Sequence, residues 1–155
     1  MFEKSEPATF EEVKDYAFIG YNMNFLTGML GFRNFIKVFE YSQEKKQWGY
    51  NIIVSQKKSP NFDTYIKRNK KGIPSKQGFY SVYKSSKNDI KGLVINYRTG
   101  LNSFLEPARF LKDYLVIPST DNPNLFLGKA FLNLNGKLFF LSYFILERFK
   151  PLDQI

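Results

Sequence analysis

Cysteine and histidine are both absent from the 155 residues. Without cysteine there is no disulfide staple, no thiolate metal site and no thiol nucleophile. Without histidine the commonest general base and the commonest metal ligand are missing as well. Any reaction would have to use carboxylates, Lys, Tyr, Ser or Thr, and the sequence points to no catalytic residue, metal ligand or cofactor. Long apolar runs are also missing: none approaches the roughly 18 residues of a membrane-spanning helix. The opening MFEKSEPATF lacks a basic region followed by an apolar run, so no secretory leader is expected and a cytoplasmic location is. Nor is there a glycine-rich phosphate loop, since Gly20, Gly28 and Gly31 have the wrong spacing for one.

Acidic residues are scarce where basic ones are dense. Between Lys45 and Lys91 twelve Lys or Arg face only Asp63 and Asp89, so this stretch accounts for the whole net charge of +9. Such a field draws anions to one region. Within it, Lys57, Lys58, Lys67, Arg68, Lys70 and Lys71 lie in a polar segment broken by Pro60, Gly72 and Pro74. Tyr65, Phe79 and Tyr80 nearby suit stacking on single-stranded bases. The same cations, with Met23, Phe25, Leu26, Met29 and Leu30, suit an anionic membrane surface. Solubility alone is the competing reading of these lysines. No RNA-recognition or helix-turn-helix signature accompanies them.

What the chain has in abundance is rings, with 17 Phe and 10 Tyr. They imply either a core built from aromatics or a cavity lined by them. The pattern around them is that of strands. KLFFLSYFILERF, over 137–149, is apolar on both faces, which predicts a central strand covered on both sides. Asn135-Gly136 before it is a hairpin turn, with Phe126 to Leu134 as its partner. Phe32 to Tyr41 and Gln47 to Gln56 form an earlier pair, and Gly78 to Ser85 with Ile90 to Arg98 another. Tyr114 to Ile117 is a further strand. At the front, Thr9 caps a short helix over 10–14 with Glu12 completing a capping box, and 21–30 reads as an irregular helix or loop. Residues 1–8 are expected to fray. The whole is a single domain: helical cover over 9–31, then a mainly β antiparallel meander over 32–149 closing into a barrel.

Tyr97, the run Pro107-Ala108-Arg109-Phe110-Leu111-Lys112-Asp113-Tyr114, Leu127-Gly128-Lys129 and Phe144-Ile145-Leu146-Glu147-Arg148 resemble small bacterial lipocalin-like domains. The order of segments is similar to that of the calycin group, the lipocalin-like and fatty-acid-binding-like barrels. In lipocalins a Gly-x-Trp opens the first strand and an arginine near the barrel's end packs over that tryptophan. Arg148 is a candidate for the arginine; Gly-x-Trp is absent, and Trp48 falls in the second candidate strand. The resemblance implies non-enzymatic binding of a small hydrophobic or amphipathic ligand, lipid-like and with room for an anionic end, inside the barrel. Arg148 with Tyr97 or Tyr143 would hold the polar end, and Trp48, Phe140 and Phe144 would line the site. An arginine at a strand end or stacked on Trp48 is the structural alternative. Arg109, Lys112 and Asp113 read as a solvated charged face. A barrel enzyme using carboxylate, Tyr or Lys is a third class.

Overall fold

The computed structural model describes residues 2–23, 34–55, 66–118 and 121–155. Two elements lead in. A two-residue strand β1 (Glu6–Pro7) pairs with β7 (Leu111–Ile117), and a single helical turn α1 (Phe10–Val13) follows. Thr9 stands before that turn, where the Glu12 carboxylate accepts hydrogen bonds of 2.7 Å from both the Thr9 N–H and its hydroxyl. One of the orphan amides of the helix start is so satisfied.

The remaining strands are β2 (Tyr16–Asn22), β3 (Asn34–Ser42), β4 (Lys46–Ile52), β5 (Lys76–Lys84), β6 (Leu93–Asn96), β8 (Leu125–Leu134) and β9 (Lys137–Pro151). Each pairs antiparallel with its neighbour in the chain. β2 pairs with β9, and β7 pairs with β8, so β2 to β9 close into an eight-stranded barrel. Closure removes the open edges that a sheet of this size would otherwise expose. The mainly β antiparallel barrel predicted from the sequence is therefore the fold. Asn135 and Gly136 take φ of 51° and 84°, both in the left-handed region that a two-residue hairpin turn requires.

Three expectations need correction. Residues 16–22 are the barrel strand β2 rather than helical cover; the periodicity missed them because Gly20 and Asn22 interrupt an otherwise apolar run. The rest of that expected cover, 24–33, lies outside the described residues. β7 begins at Leu111, because the turn at Pro107–Phe110 is a 3-10 turn that ends before Lys112. β9 is not covered on both faces along its length: its inward Ser142, Phe144 and Leu146 are buried, its outward Tyr143 and Ile145 half-buried and Glu147 exposed. Its first residues run beyond the last β2 partner, Asn22 opposite Phe144, and Phe139, Phe140 and Leu141 stay exposed.

The barrel has two unlike ends. At the helix end lie α1, the tight turn between β3 and β4, and the C-terminal tail. At the loop end lie the β8–β9 hairpin and the connection from β6 to β7. The inward face of the helix-end half is a ring-filled core of Phe10, Phe18, Phe39, Phe126 and Leu146. Phe18 meets Phe39 and Phe126 edge-on at 5.6 and 5.4 Å, an arrangement aromatic quadrupoles favour. Three inward glycines make the rings fit. A Cβ at Gly20 would lie 2.1 Å from the Phe35 ring, one at Gly49 2.4 Å from the Tyr80 ring, and one at Gly128 2.0 Å from the Phe144 ring. Each ring lies over the glycine of the paired strand.

Outside, two further clusters thicken the wall. Ile36, Val38 and Ile52 pack under Phe149, Leu152 and Ile155 of the tail, and Val94, Tyr114 and Val116 pack under Phe2. The first residues are thus docked rather than frayed from Phe2 onward.

Because Gly128 has no room for a methyl group, Gly128→Ala is expected to lower stability by about 1–3 kcal/mol, as overpacking does. Gly49→Ala is expected to cost more, since its Cβ would also lie 2.0 Å from the Val38 carbonyl oxygen, which cannot swing aside. Gly100→Ala meets nothing within 4 Å and serves as the near-neutral control. Urea melts of the three variants check the order.

Candidate functional site

Alternation along the strands points Lys37 of β3 and Asp113 of β7 into the barrel. In a ring of eight strands these two are four apart, so their side chains meet across the barrel's width. They are 1% and 3% exposed, with Lys37 Nζ 3.3 Å from Asp113 Oδ2. Tyr97, just beyond β6, completes the cluster. Its hydroxyl accepts a short hydrogen bond from Lys37 Nζ and donates to Asp113 Oδ2 at 3.3 Å. Asn51 of β4 donates to the same hydroxyl at 3.4 Å. The ammonium is also boxed by rings: Tyr80 and Tyr97 at 4.8 and 4.9 Å, Phe35 and Phe144 both at 5.5 Å. Desolvated cation–π contacts of this kind are worth up to about 2 kcal/mol each, and they replace part of the lost hydration.

Burial weakens both charges. It pushes the Lys37 ammonium below its ordinary value, against the pull of Asp113, and the Asp113 carboxyl above its own, against the pull of Lys37. Burial and the neighbouring Asp113 charge hold the Tyr97 phenol well above the usual range, so it stays neutral. Two oxygen atoms remain open. Asp113 Oδ1 and Asn51 Oδ1 are buried without a hydrogen-bond partner among the described residues. A buried carboxylate oxygen left unpaired is costly, and such atoms call for a donor.

Toward the loop end the inward residues become small or polar. Asn22, Asn51, Gly78, Ala130 and Ser142 stand there among the rings of Phe35, Tyr97 and Phe144. Gly78, at φ 55°, forms a bulge on β5 that only the left-handed region allows. The amides around the bulge are caught from the β6–β7 connection, Gly78 N–H by Glu106 and Phe79 N–H by Asn102, each at 2.7 Å. Asn102 also donates to the Phe79 and Tyr97 carbonyls at 2.6 Å, which fixes the rim beside Tyr97.

The residues chosen from the sequence divide. Tyr97 and Phe144 face inward and belong to the cluster. Trp48, Phe140 and Tyr143 face outward: Trp48 stacks on Phe79 at 6.4 Å, and Tyr143 meets Phe140 at 5.1 Å. Neither lines the interior. Arg148 does turn inward, but at the helix end, far from any rim. Its guanidinium lies 4.6 Å over Tyr16, the first residue of β2, and donates to the Glu12 carbonyl at 2.6 Å. The last strand's arginine thus packs over the tyrosine that opens the first barrel strand. There it closes the helix end, and its Nε is buried without a hydrogen-bond partner among the described residues.

Asp113 is not part of a solvated face. Lys112 points out and pairs with Asp89 at 2.9 Å, while Tyr114, its phenol pushed up to about 12 by burial and by the same carboxylate, bonds Asp89 at 2.5 Å. Lys37 escaped the sequence reading entirely. The only trace was a lone lysine on the apolar face of NFIKVFEY, alternating with Phe35 and Phe39. Of the basic segment, Lys57 and Lys58 lie outside the described residues, as do Phe25, Leu26, Met29, Leu30 and Tyr65. Lys67, Lys70 and Lys71 are exposed, and Arg68 binds the Gly72 and Ile155 carbonyls at 2.9 and 3.0 Å, tying the tail down.

Removing one member of the buried pair strands the other. Lys37→Met is expected to cost about 3–5 kcal/mol, while Lys37→Met with Asp113→Leu recovers most of that loss in urea melts. The pH dependence has a definite sign. Asp113 binds its proton more readily folded than unfolded, so its contribution grows as pH falls from its raised value toward the ordinary 3.8. Lys37 binds its proton less readily folded, so its contribution grows as pH rises from its lowered value toward 10.5. The wild type minus double-variant stability difference is therefore expected to become more favourable toward both acid and alkaline pH. No family model, curated protein or solved structure matches this chain.

Proposed function

We propose that the protein is a non-enzymatic binder of a small amphipathic molecule, held in the loop-end half of the barrel with its polar end on the Lys37–Tyr97–Asp113 cluster. The observation that carries this reading is the open pair of acceptors, Asp113 Oδ1 and Asn51 Oδ1, buried beneath a rim of small residues. Lys37 spends its hydrogen bonds on Tyr97 and Asp113, so the cluster as a whole is charge-neutral. A ligand that donates, through a hydroxyl, amide or amine, matches it better than the anionic end the calycin resemblance suggested. Phe35 and Phe144 would face the ligand's apolar part, and apolar contact there contributes at roughly 25 cal/mol per Å² removed from water. The ring-filled half toward α1 limits the length of that part.

Enzymatic use of the cluster is less well supported. Tyr97 and Lys37 are already committed to each other and to Asp113, and the neighbouring Asn51 amide offers no acid or base.

Native mass spectrometry of freshly purified protein, beside an organic extract of the denatured sample, tests the reading. The expected adduct is a small amphiphile carrying a hydroxyl, amide or amine. Asn51→Leu, at the half-buried rim, is expected to weaken its rebinding about 10-fold, the loss of one buried hydrogen bond. Trp48→Phe and Phe140→Ser, outside the barrel, leave it unchanged. Ligand retained in full by Asn51→Leu and lost from Trp48→Phe would overturn the assignment.

A further inference from the structure

The exposed apolar side chains are not scattered. Phe104 and Leu105 are 80% and 86% exposed, and Phe139, Phe140 and Leu134 are 51%, 51% and 42% exposed. The first two belong to the β6–β7 connection and the others to the β8–β9 hairpin. Register brings these pieces together, because Leu111, which follows Phe110, pairs with Leu132, two residues before Leu134. The 3-10 turn Pro107–Phe110 packs beside β8. All of them crown the loop end.

Two further features decide what such a crown fits. First, it is held out rather than left loose: Asn102 and Glu106 pin the connection to β5 on either side of Phe104 and Leu105. Contiguous apolar exposure on an anchored rim marks an interaction surface. Second, its charge is mainly of one sign. Arg98, Arg109 and Lys137 lie in the connection and the hairpin, and the Glu106 carboxylate there is taken up by the Gly78 N–H. Arg109 stacks over Phe104 and Phe110 at 4.6 and 5.1 Å, a cation held beside the rings that would be buried.

We infer that this end of the barrel docks on an anionic lipid surface, with Phe104, Leu105, Phe139 and Phe140 entering the headgroup–acyl boundary and Arg98, Arg109 and Lys137 meeting the lipid charges. Apolar burial and attraction to anionic headgroups add in this mode of binding. A second copy of the chain is a poorer occupant, since two crowns of the same sign would face each other. A nucleic acid is poorer as well: Leu105 and Leu134 have no ring to stack on a base, whereas acyl chains accept aliphatic and aromatic groups alike. The inference is independent of the proposed interior ligand.

Co-sedimentation of the full chain with vesicles tests it, comparing phosphatidylcholine alone with phosphatidylcholine plus phosphatidylserine. The protein is expected to pellet with the anionic vesicles and far less with the neutral ones, more weakly as salt rises. The double variant Phe104→Ser, Leu105→Ser, at two solvent-facing positions, is expected to lose at least about tenfold in partitioning. Arg109→Gln is expected to lose about fivefold, the value of one cation near such a surface. A Phe139→Ser, Phe140→Ser variant tests the hairpin separately, and unchanged melting midpoints confirm that each variant folds. Pelleting that ignores both double variants, or equal pelleting with neutral vesicles, overturns the inference. So does binding of a single-stranded oligonucleotide in preference to anionic vesicles, or dimerisation of the free protein that the serine variants abolish.

Discussion

A lysine and an aspartate meet inside a barrel, and the rest of the interior is arranged so that they can. Lys37 and Asp113 come from strands on opposite walls, so their ion pair acts as a strut across the barrel rather than a clasp between neighbours. A pair taken wholly out of water gains stability only where geometry and extra hydrogen bonds offset the desolvation. Here Tyr97 bridges the two charges, Asn51 supports Tyr97, and four rings face the ammonium. Hydrophobic residues in the same places would give a simpler core. The strut instead fixes which strands face each other, and it leaves one buried carboxylate oxygen without a partner among the described residues.

That strut divides the molecule by function. On the helix side the rings of Phe10, Phe18, Phe39 and Phe126 close up, and Arg148 bolts the last strand to Tyr16 and α1. This half is built for stability. On the loop side the inward residues shrink, a bulge at Gly78 opens β5, and the rim is pinned by Asn102 and Glu106. The apolar side chains that the interior there does not use are turned outward on the same rim. A polar cluster inside and an apolar crown outside lie toward the same end.

Much of this was legible in the sequence where the physics is local. Alternation gave most strands, Asn135-Gly136 gave the final hairpin, and Thr9 with Glu12 gave the helix start, because each depends on neighbours in the chain. A closed antiparallel barrel followed from such strands, although its first strand, β2, was taken for helical cover. What stayed hidden depends on register. Asp113 and Lys112 are adjacent in sequence and look alike as a charged face, yet one points in and the other out, and only the pairing of β7 tells them apart. Lys37 among apolar residues reads as noise until β3 and β7 are seen to be opposite. Trp48, Phe140 and Tyr143 failed for the mirror reason: in a barrel with apolar clusters on both faces, ring content does not say which face is inside.

The most direct test of this organisation is the nuclear magnetic resonance signal of the Lys37 side chain. Its ε-methylene should be shifted upfield by the rings of Tyr80, Tyr97, Phe35 and Phe144, and its ammonium protons should exchange slowly with water. Both should vanish in Asp113→Asn if the ammonium is released from the strut. A Lys37 signal at the position of the surface lysines, exchanging as fast as they do, would show that no buried pair spans the barrel.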